Sequence, residues 1–366
     1  MITIPDFVQN LVPYKAGKSI DELAREKGLT QIVKLASNEN PLGPSPKAMG
    51  AINNYISESH RYADPLCHNL THHLSEIHKL APEMIFAASG SDAILQYVIM
   101  TFSKEGDELL TSEGSFIGWY VNADKLGRKS VKIPLTSDYK YDLKTISEAI
   151  SERTKIIYLA NPNNPTGTIF SSKELENFLE KVPSNVLVVL DEAYTIYVDD
   201  SLDFPNGVNY LRENLIVTRT FSKSYGLAGL RVGYAFAYPN LIQHMFKVKL
   251  SFEPSSLSQV AAIAAISDEE FIAKTIELNR RSLTMLREKL DAIEIKYTDS
   301  AANFLMMIFD SEELAKKFTI ECLNRGLILR HVDTFGIPVG VRINSGTDDE
   351  TEFAVQAIDE VWEMLK

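Results

Sequence analysis

A lysine flanked by hydroxyl groups is the residue of this sequence best suited to covalent chemistry. Lys223 lies in Thr220-Phe221-Ser222-Lys223-Ser224, and Arg231 follows eight residues later. Hydroxyls and a guanidinium can bind a phosphate dianion, and a lysine amine can condense with an aldehyde. Pyridoxal phosphate carries both groups. A lysine at a strand end is more often a solvated charge, so this segment alone leaves both interpretations open.

A carboxylate and a tyrosine follow the preceding apolar run at 186–190. They lie in Asp191-Glu192-Ala193-Tyr194. A carboxylate paired with the pyridine nitrogen keeps that nitrogen protonated, which lets the ring accept electrons from a carbanion. Tyr194 can donate a hydrogen bond to the phenolate oxygen of the ring. The alternatives are that Asp191 binds Mg²⁺ or a ribose hydroxyl and that Tyr194 is an ordinary half-buried side chain.

Two further polar turns follow apolar runs. Asn161-Pro162-Asn163-Asn164-Pro165-Thr166-Gly167 comes after residues 155–160, and Ser89-Gly90-Ser91-Asp92 comes after residues 84–88. The amide of Asn164 can hydrogen-bond the same phenolate oxygen, while a Gly-Ser turn at a helix N-terminus can bind an anion. The simpler interpretations are an ordinary loop for the first string and a helix N-cap at Ser91 or Asp92 for the second.

The order of predicted elements indicates how these turns are brought together. Residues 84–88, 155–160, 186–190 and 215–219 are short runs rich in Ile, Val and Leu, which predicts buried strands, and amphipathic stretches at 92–102 and 172–181 predict helices between them. Such alternation is typical of an α/β fold with a mostly parallel central sheet, in which ligands bind at the carboxyl ends of the strands. The four turns therefore belong to one site.

The C-terminal part has a different pattern. Helices at 271–290 and 312–325 and strands at 303–309 and 339–344 predict a smaller α+β domain. The first 30 residues contain Pro5, Pro13 and Gly17 and show little periodicity, so we interpret them as an arm that packs on the small domain or on a partner subunit. The predicted division is 1–30 for this arm, 31–250 for the large domain and 251–366 for the small domain.

Composition narrows the class of protein. The 366 residues are 45% hydrophobic and 23% charged, which is typical of a globular chain, and 37 basic against 49 acidic residues give a net charge of −12. This balance argues against non-specific binding to nucleic acid or anionic membrane. Cys67 and Cys322 match no metal or redox spacing, and neither a signal peptide nor an apolar run of about 20 residues is evident. A cytoplasmic location is expected.

Taken in order, the four turns resemble those of the fold-type I pyridoxal-phosphate aminotransferases, and the resemblance covers essentially the whole chain. It implies that Lys223 is the Schiff-base lysine and general base, and that Asp191 pairs with the pyridine nitrogen. Tyr194 and Asn164 would bind the phenolate oxygen, and Phe116 would stack on the ring. The residues implied to bind the cofactor phosphate are Ser89, Gly90, Ser91, Thr220, Ser222 and Arg231.

Other strings resemble the histidinol-phosphate aminotransferases within that group. They are Val12-Pro13-Tyr14-Lys15-Ala16-Gly17, Ser37-Asn38-Glu39-Asn40-Pro41-Leu42-Gly43, Arg61-Tyr62-Ala63-Asp64-Pro65, Leu327-Ile328-Leu329-Arg330 and Gly340-Val341-Arg342-Ile343-Asn344-Ser345-Gly346-Thr347. The resemblance implies that Tyr62 reaches the phosphate of the neighbouring subunit, and hence a homodimer with shared active sites. The chain departs from the pattern at Ala63, where proline is usual, at Ala93, where an acid is common, and at Phe116, where tyrosine is more usual.

Two arginines decide the expected substrate. Guanidinium groups bind both carboxylate and phosphate, and Arg330 with Arg342 would suit a dianion better than one arginine alone. With Tyr14 and Asn40, they form the predicted substrate site for amino transfer from L-histidinol phosphate to 2-oxoglutarate in histidine biosynthesis. Three alternatives remain open: Arg342 alone faces the pocket, the enzyme is an aromatic amino acid aminotransferase, or the chain is a non-catalytic aminotransferase-like binding module.

A cluster of histidines is a candidate metal site. His68, His72, His73 and His78 lie close in sequence, and the first two have the i,i+4 spacing of helical zinc ligands. No further ligand set is evident, so no metal is predicted. A serine hydrolase and a dinucleotide-binding fold are also disfavoured, because neither Gly-x-Ser-x-Gly nor an early Gly-x-Gly-x-x-Gly occurs.

Overall fold

The fold combines a large central sheet with a smaller C-terminal sheet. The computed structural model describes residues 2–11, 20–29 and 31–366. The strands are β1 (Val33–Lys34), β2 (Ile85–Ala88), β3 (Glu108–Ser112), β4 (Lys129–Ile133), β5 (Thr154–Ala160), β6 (Leu187–Asp191), β7 (Leu215–Thr220), β8 (Gly233–Phe236), β9 (Lys296–Tyr297), β10 (Phe304–Ile308), β11 (Leu327–Ile328), β12 (Arg330–His331) and β13 (Gly340–Asn344). The α-helices are α1 (Asp6–Gln9), α2 (Ile20–Lys27), α3 (Pro46–Tyr55), α4 (His68–His78), α5 (Ser91–Phe102), α6 (Ile117–Lys125), α7 (Leu143–Glu148), α8 (Ser172–Leu179), α9 (Pro239–Phe246), α10 (Ser256–Ile266), α11 (Glu269–Ala292), α12 (Glu312–Asn324) and α13 (Asp348–Leu365).

The central sheet has seven strands in the order β2-β8-β7-β6-β5-β3-β4. Strands β4, β3, β5, β6 and β7 run parallel to one another, and β8 runs antiparallel to both of its neighbours, β7 and β2. The predicted mostly parallel sheet is confirmed, and its four predicted strands correspond to β2, β5, β6 and β7. Because β5, β6 and β7 are parallel neighbours, their carboxyl ends lie together at one edge of the sheet.

Helices cover both faces of this sheet. Along β5, Ile157 and Leu159 pack into one buried cluster, whereas Ile156, Tyr158 and Ala160 pack into the cluster on the opposite face. Side chains alternate across a strand, so a strand buried on both faces is mostly apolar, as residues 156–160 of β5 are. Tyr158 is the polar exception in this run, and its hydroxyl lies at the site described below.

The C-terminal part forms a separate four-stranded sheet in the order β12-β13-β10-β9. Strand β1 pairs in parallel with β11, and Val33 and Leu35 join the hydrophobic cluster of α11, α12 and α13. Helix α10 instead packs with α3 and α4 of the large sheet's cluster. The packing of these two segments differs from the predicted domain boundaries at 30/31 and 250/251. Residues 33–35 pack with the small C-terminal domain, and α10 packs with the large domain.

Within residues 2–11, 20–29 and 31–366, no helix is both long enough and apolar enough to cross a bilayer.

Candidate active site

A cavity of about 180 Å³ lies at the carboxyl ends of β5, β6 and β7. It brings together nine of the predicted residues: Ser91, Phe116, Asn164, Asp191, Tyr194, Thr220, Ser222, Lys223 and Arg231. Ser37, Glu39, Asp92, Tyr158, Ala160, Pro162, Ala193 and Ala228 also line it. The strand-end loops converge because parallel neighbouring strands end at the same edge of the sheet.

Lys223 follows β7 and projects its amine into this cavity's polar surroundings. The Nζ donates a hydrogen bond to the carbonyl oxygen of Ser37 at 3.2 Å. Removal from water, followed by the positive charge of Arg342, lowers the pKa of Lys223 to about 8, while Glu39 acts in the opposite direction. An amine with this pKa loses its proton more readily than an exposed lysine, which suits it to act as a nucleophile and as a base near neutral pH.

Asp191 is the last residue of β6 and is almost fully buried. Its Oδ2 accepts a hydrogen bond from the hydroxyl of Tyr158 at 2.8 Å, and its Oδ1 accepts one from Thr218 Oγ1 at 3.0 Å. Burial raises the pKa of Asp191 to about 6, although these two hydrogen bonds act to lower it. The strands on either side therefore fix both carboxylate oxygens, and a cationic group in the cavity would favour the ionised form.

A network of amides and a guanidinium surrounds Tyr194. Its hydroxyl oxygen accepts hydrogen bonds from Asn38 Nδ2 at 2.9 Å and from Asn164 Nδ2 at 3.1 Å. Arg342 donates to Asn164 Oδ1 through Nη1 and to the carbonyl oxygen of Ala36 through Nη2 at 2.7 Å. Burial raises the pKa of Tyr194. Because the hydroxyl oxygen accepts hydrogen bonds from both amides, the hydroxyl proton remains available for donation to a group in the cavity.

The opposite end of the cavity is suited to an anion. Helix α5 begins there after Gly90, and Arg231 Nη1 lies 3.4 Å from Ser222 Oγ and 3.1 Å from the carbonyl oxygen of Ala228. Gly90 has a φ of +90°, and a Cβ at this position would lie 2.8 Å from Arg231 Nη2. Glycine is therefore required for the guanidinium to approach the helix N-terminus, where backbone N–H groups attract negative charge.

Six of the predicted residues that the structure describes do not line the cavity: Tyr62, Asn40, Ser89, Gly90, Arg330 and Arg342. Tyr62 is 84% exposed and stacks on Phe252 with ring centroids 4.5 Å apart. Asn40 donates to the carbonyl oxygen of Ser224 at 2.8 Å and to Thr275 Oγ1 at 3.0 Å, so its amide fixes the loop that follows Lys223. Ser89 and Gly90 border the cavity without lining it, and Tyr14 lies outside the described residues.

Arg330 lies beside Arg342, and neither residue lines the cavity. The two are direct partners on the antiparallel strands β12 and β13, which places both side chains on one face of the sheet. Their guanidinium carbons lie 5.6 Å and 5.8 Å from the ring centroid of Phe335. The two arginines therefore form one basic patch next to the network of Tyr194.

Asn38, Glu39 and Tyr158 are among the residues at the site that were not predicted. Asn38 and Glu39 are part of the quoted string around Asn40, but spacing in a loop does not tell which side chain faces the site. Tyr158 was assigned to the core because it lies in an apolar run. A signal for Tyr158 existed, since a hydroxyl-bearing residue two positions before the end of a buried strand requires a polar partner.

The histidine cluster has ordinary packing. The rings of His68 and His72 are 3.9 Å apart on α4, His73 contacts Ser267 Oγ at 3.0 Å, and His78 packs edge-on against Phe236. Burial lowers the pKa of His78 to about 4. Among the described residues, no group of three or more His, Cys, Asp or Glu side chains is arranged to hold a metal ion.

The chain is similar to known aminotransferases over nearly its whole length. Residues 30–358 match the family described as aminotransferase class I and II. The chain is 39% identical over 357 residues to histidinol-phosphate aminotransferase 2 of Hydrogenovibrio crunogenus, covering 97% of this chain and 95% of that protein. It is 38% identical over 360 residues to the histidinol-phosphate aminotransferase of Caldicellulosiruptor saccharolyticus, covering 97% and 99%.

Solved structures are similar over the same length. Histidinol-phosphate aminotransferase from Sinorhizobium meliloti in complex with pyridoxal-5'-phosphate superposes with a TM-score of 0.92 at 26% identity, covering 99% of this chain and 98% of that one. Aspartate aminotransferase from Thermus thermophilus, at 21% identity and a TM-score of 0.86, shares the fold. The chain therefore belongs to the aminotransferase class I and II family and is a transaminase.

Proposed function

We propose that the cavity binds pyridoxal 5'-phosphate, the cofactor present in the similar Sinorhizobium meliloti structure. The residues fit this molecule in three places. A buried carboxylate, Asp191, can pair with the protonated ring nitrogen, and the anion-binding end formed by α5, Ser222 and Arg231 can hold the phosphate. The amine of Lys223 lines the same cavity, where an aldehyde could reach it. Phe116 would face the ring, and Asn164 with Tyr194 would bind its phenolate oxygen.

Each side chain then has a definite task in transamination. Pyridoxal phosphate, when bound, supplies an aldehyde for condensation with amines and a ring that accepts the electrons of a carbanion. Lys223 would take the proton from the substrate carbon that bears the amino group, for which a pKa of about 8 is well placed. Asp191 would hold the ring nitrogen protonated, and the hydroxyl of Tyr194 would stabilise negative charge on the phenolate oxygen.

We further propose L-histidinol phosphate as amino donor and 2-oxoglutarate as acceptor. The observation that carries this choice is the pairing of Arg330 with Arg342 on adjacent strands, because two neighbouring guanidinium groups suit a phosphate dianion and also accept a carboxylate. The names of the full-length relatives point to the same substrate. This reaction would place the enzyme in histidine biosynthesis.

The substrate is tested by comparing amino donors. With 2-oxoglutarate saturating, kcat/KM for histidinol phosphate is expected to exceed that for phenylalanine by at least about 100-fold, because two guanidinium groups contact the dianion. Arg330→Leu should lower kcat/KM for histidinol phosphate more than for glutamate. Equal values for the two donors, or a preference for phenylalanine, would instead support an aromatic amino acid aminotransferase.

We propose that the active enzyme is a homodimer in the cytoplasm. Tyr62 and Phe252 stack on each other at the surface, and Leu66 and Leu250 are exposed by 61% and 68%. An exposed apolar surface of this kind is typical of a subunit interface. Tyr62 would then contact the cofactor phosphate of the other subunit. Both cysteines are free thiols, which suits a reducing compartment.

Sedimentation and cofactor binding test the dimer. Analytical ultracentrifugation of the purified protein should give a molecular mass twice that of the 41.0 kDa chain. Tyr62→Ala should weaken cofactor binding about tenfold, since it removes a hydrogen bond to a charged group. Tyr238→Ala, at another exposed tyrosine, is the control and should bind as the wild type does. A monomer, or equal loss in both variants, would contradict the shared site.

A further inference from the structure

The segment 37–39 forms one wall of the cavity beside Lys223. The carbonyl oxygen of Ser37 accepts the hydrogen bond of the Lys223 amine, and Asn38 donates to the hydroxyl of Tyr194. Asn344 Oδ1 accepts from the backbone N–H of Asn38 at 3.0 Å, which fixes the segment against β13. Glu39, the next residue, therefore has a defined place at the cavity, which it lines, and its charge acts on Lys223.

Three carboxylates line the cavity, and they differ in their position and in how their oxygens are bound. Both oxygens of Asp191 accept hydrogen bonds from neighbouring strands. Asp92 lies at the first turn of α5, near the anion-binding end, and its Oδ1 accepts from Asn122 at 2.9 Å. Glu39 is bound through Oε2 to Lys34 at 3.0 Å, while its Oε1 accepts no hydrogen bond from any residue in the described part of the chain.

The ion pair with Lys34 does not explain why Glu39 faces the cavity. The side chains of Lys34 and Glu39 are 21% and 50% exposed, and ion pairs that are open to solvent contribute little to stability. Lys34 does have a consequence for chemistry, because it offsets the charge of Glu39. A cavity that must also admit an acidic amino acid can then tolerate a carboxylate in its wall.

An imidazole ring supplies the group that this carboxylate lacks. Its N–H is a hydrogen-bond donor whether the ring is neutral or protonated, whereas a phenyl ring has no such donor. We propose that Glu39 accepts a hydrogen bond from the imidazole N–H of the amino donor and thereby distinguishes it from a phenyl-bearing donor. This inference rests on the proposed function, and it assigns the ring recognition to Glu39 rather than to Asn40, whose amide is engaged with the loop after Lys223.

The experiment compares two donors that differ only in the ring, histidinol phosphate and phenylalaninol phosphate, with 2-oxoglutarate saturating. The quantity measured is the ratio of their kcat/KM values. Glu39→Leu should lower this ratio at least about tenfold and Glu39→Gln by less, because glutamine keeps an acceptor without the charge. The loss should fall on histidinol phosphate alone. Lys34→Met is the matched control, since it removes the ion pair and keeps the carboxylate; its ratio should stay within about twofold of the wild type.

Three other outcomes would contradict either the role of Glu39 or the proposed function. If the wild type uses histidinol phosphate but the ratio is unchanged in Glu39→Leu, or both donors lose equally, Glu39 does not recognise the ring. If Lys34→Met reproduces the loss, the ion pair fixes the loop and Glu39 has no direct contact with substrate. If the wild type does not use histidinol phosphate at all, the proposed function is wrong, and the inference about Glu39 falls with it.

Discussion

Replacing Lys223 with alanine is expected to abolish transamination, with a fall in kcat of at least about 10⁴-fold. The amine is the group in the cavity that can both condense with an aldehyde and move a proton, and its lowered pKa of about 8 makes it effective near neutral pH. Purified Lys223→Ala should also lose the yellow colour that a lysine-bound pyridoxal phosphate gives to the wild type.

Lys223→Arg is the matched control for charge. It keeps a cation beside Ser37 but cannot form a Schiff base or release a proton at neutral pH, so it should be as inactive as the alanine variant. Circular dichroism should show both variants folded. Activity above about 1% of wild type in either of them would mean that another base carries the proton.

Replacing Asp191 with asparagine should lower kcat by roughly 10²–10³-fold, as expected for the loss of one fixed electrostatic contact to a developing charge. Asparagine has nearly the same shape, so the cavity should keep its form. Thr218→Val is the control, because it removes one hydrogen bond to the carboxylate and leaves its charge. A variant Asp191→Asn with near-normal kcat would exclude the pairing with the ring nitrogen.

The same substitution should stabilise the cofactor-free protein. Asp191 has a pKa of about 6 in the folded protein, above its ordinary value of 3.8, so the folded state holds the proton more tightly than the unfolded state. Ionisation of the buried carboxylate therefore lowers the free energy of unfolding. This destabilisation grows as pH rises from about 4 to 6 and is fully present above pH 6. Above pH 6, Asp191→Asn should raise the free energy of unfolding by up to about 3 kcal/mol.

Urea unfolding of the cofactor-free wild type and variant at pH 5 and pH 8 measures this difference. The gain of Asp191→Asn should be larger at pH 8 than at pH 5. An equal gain at both pH values would mean that it comes from packing rather than from the buried charge. Bound cofactor should reverse the order of stability, since the pyridinium pairs with the carboxylate that asparagine lacks.

The network around Tyr194 shows how distant parts of the chain depend on each other. Asn38 and Ala36 come from the segment after residue 31, Asn164 from the loop after β5, and Arg342 from the C-terminal sheet. Asn303 also donates to the carbonyl oxygen of Asn38 at 3.2 Å. The small sheet therefore contributes directly to the wall of a cavity formed mainly by the large one.

The amino-acid sequence by itself determined the main sheet and the polar groups at its edge. Runs of β-branched and aliphatic residues predicted β2, β5, β6 and β7, because strands buried on both faces are apolar throughout. Asp191 ends one of these strands and Lys223 follows another, and parallel strands end at one edge, so their convergence could be predicted without coordinates. Strands β3, β4 and β8 were not predicted, because charged or small residues interrupt their apolar pattern.

Only the tertiary structure decided which loop side chains face the cavity. The sequence does not tell whether Glu39 or Asn40 faces the cavity. In the structure Asn40 is turned to other partners, because its amide binds Ser224 and Thr275, which are far away in sequence. Strand register likewise decided that Arg330 lies opposite Arg342, because a one-residue shift would send one of them to the other face. Long-range contacts of this kind depend on how elements pack, and no local sequence pattern encodes them.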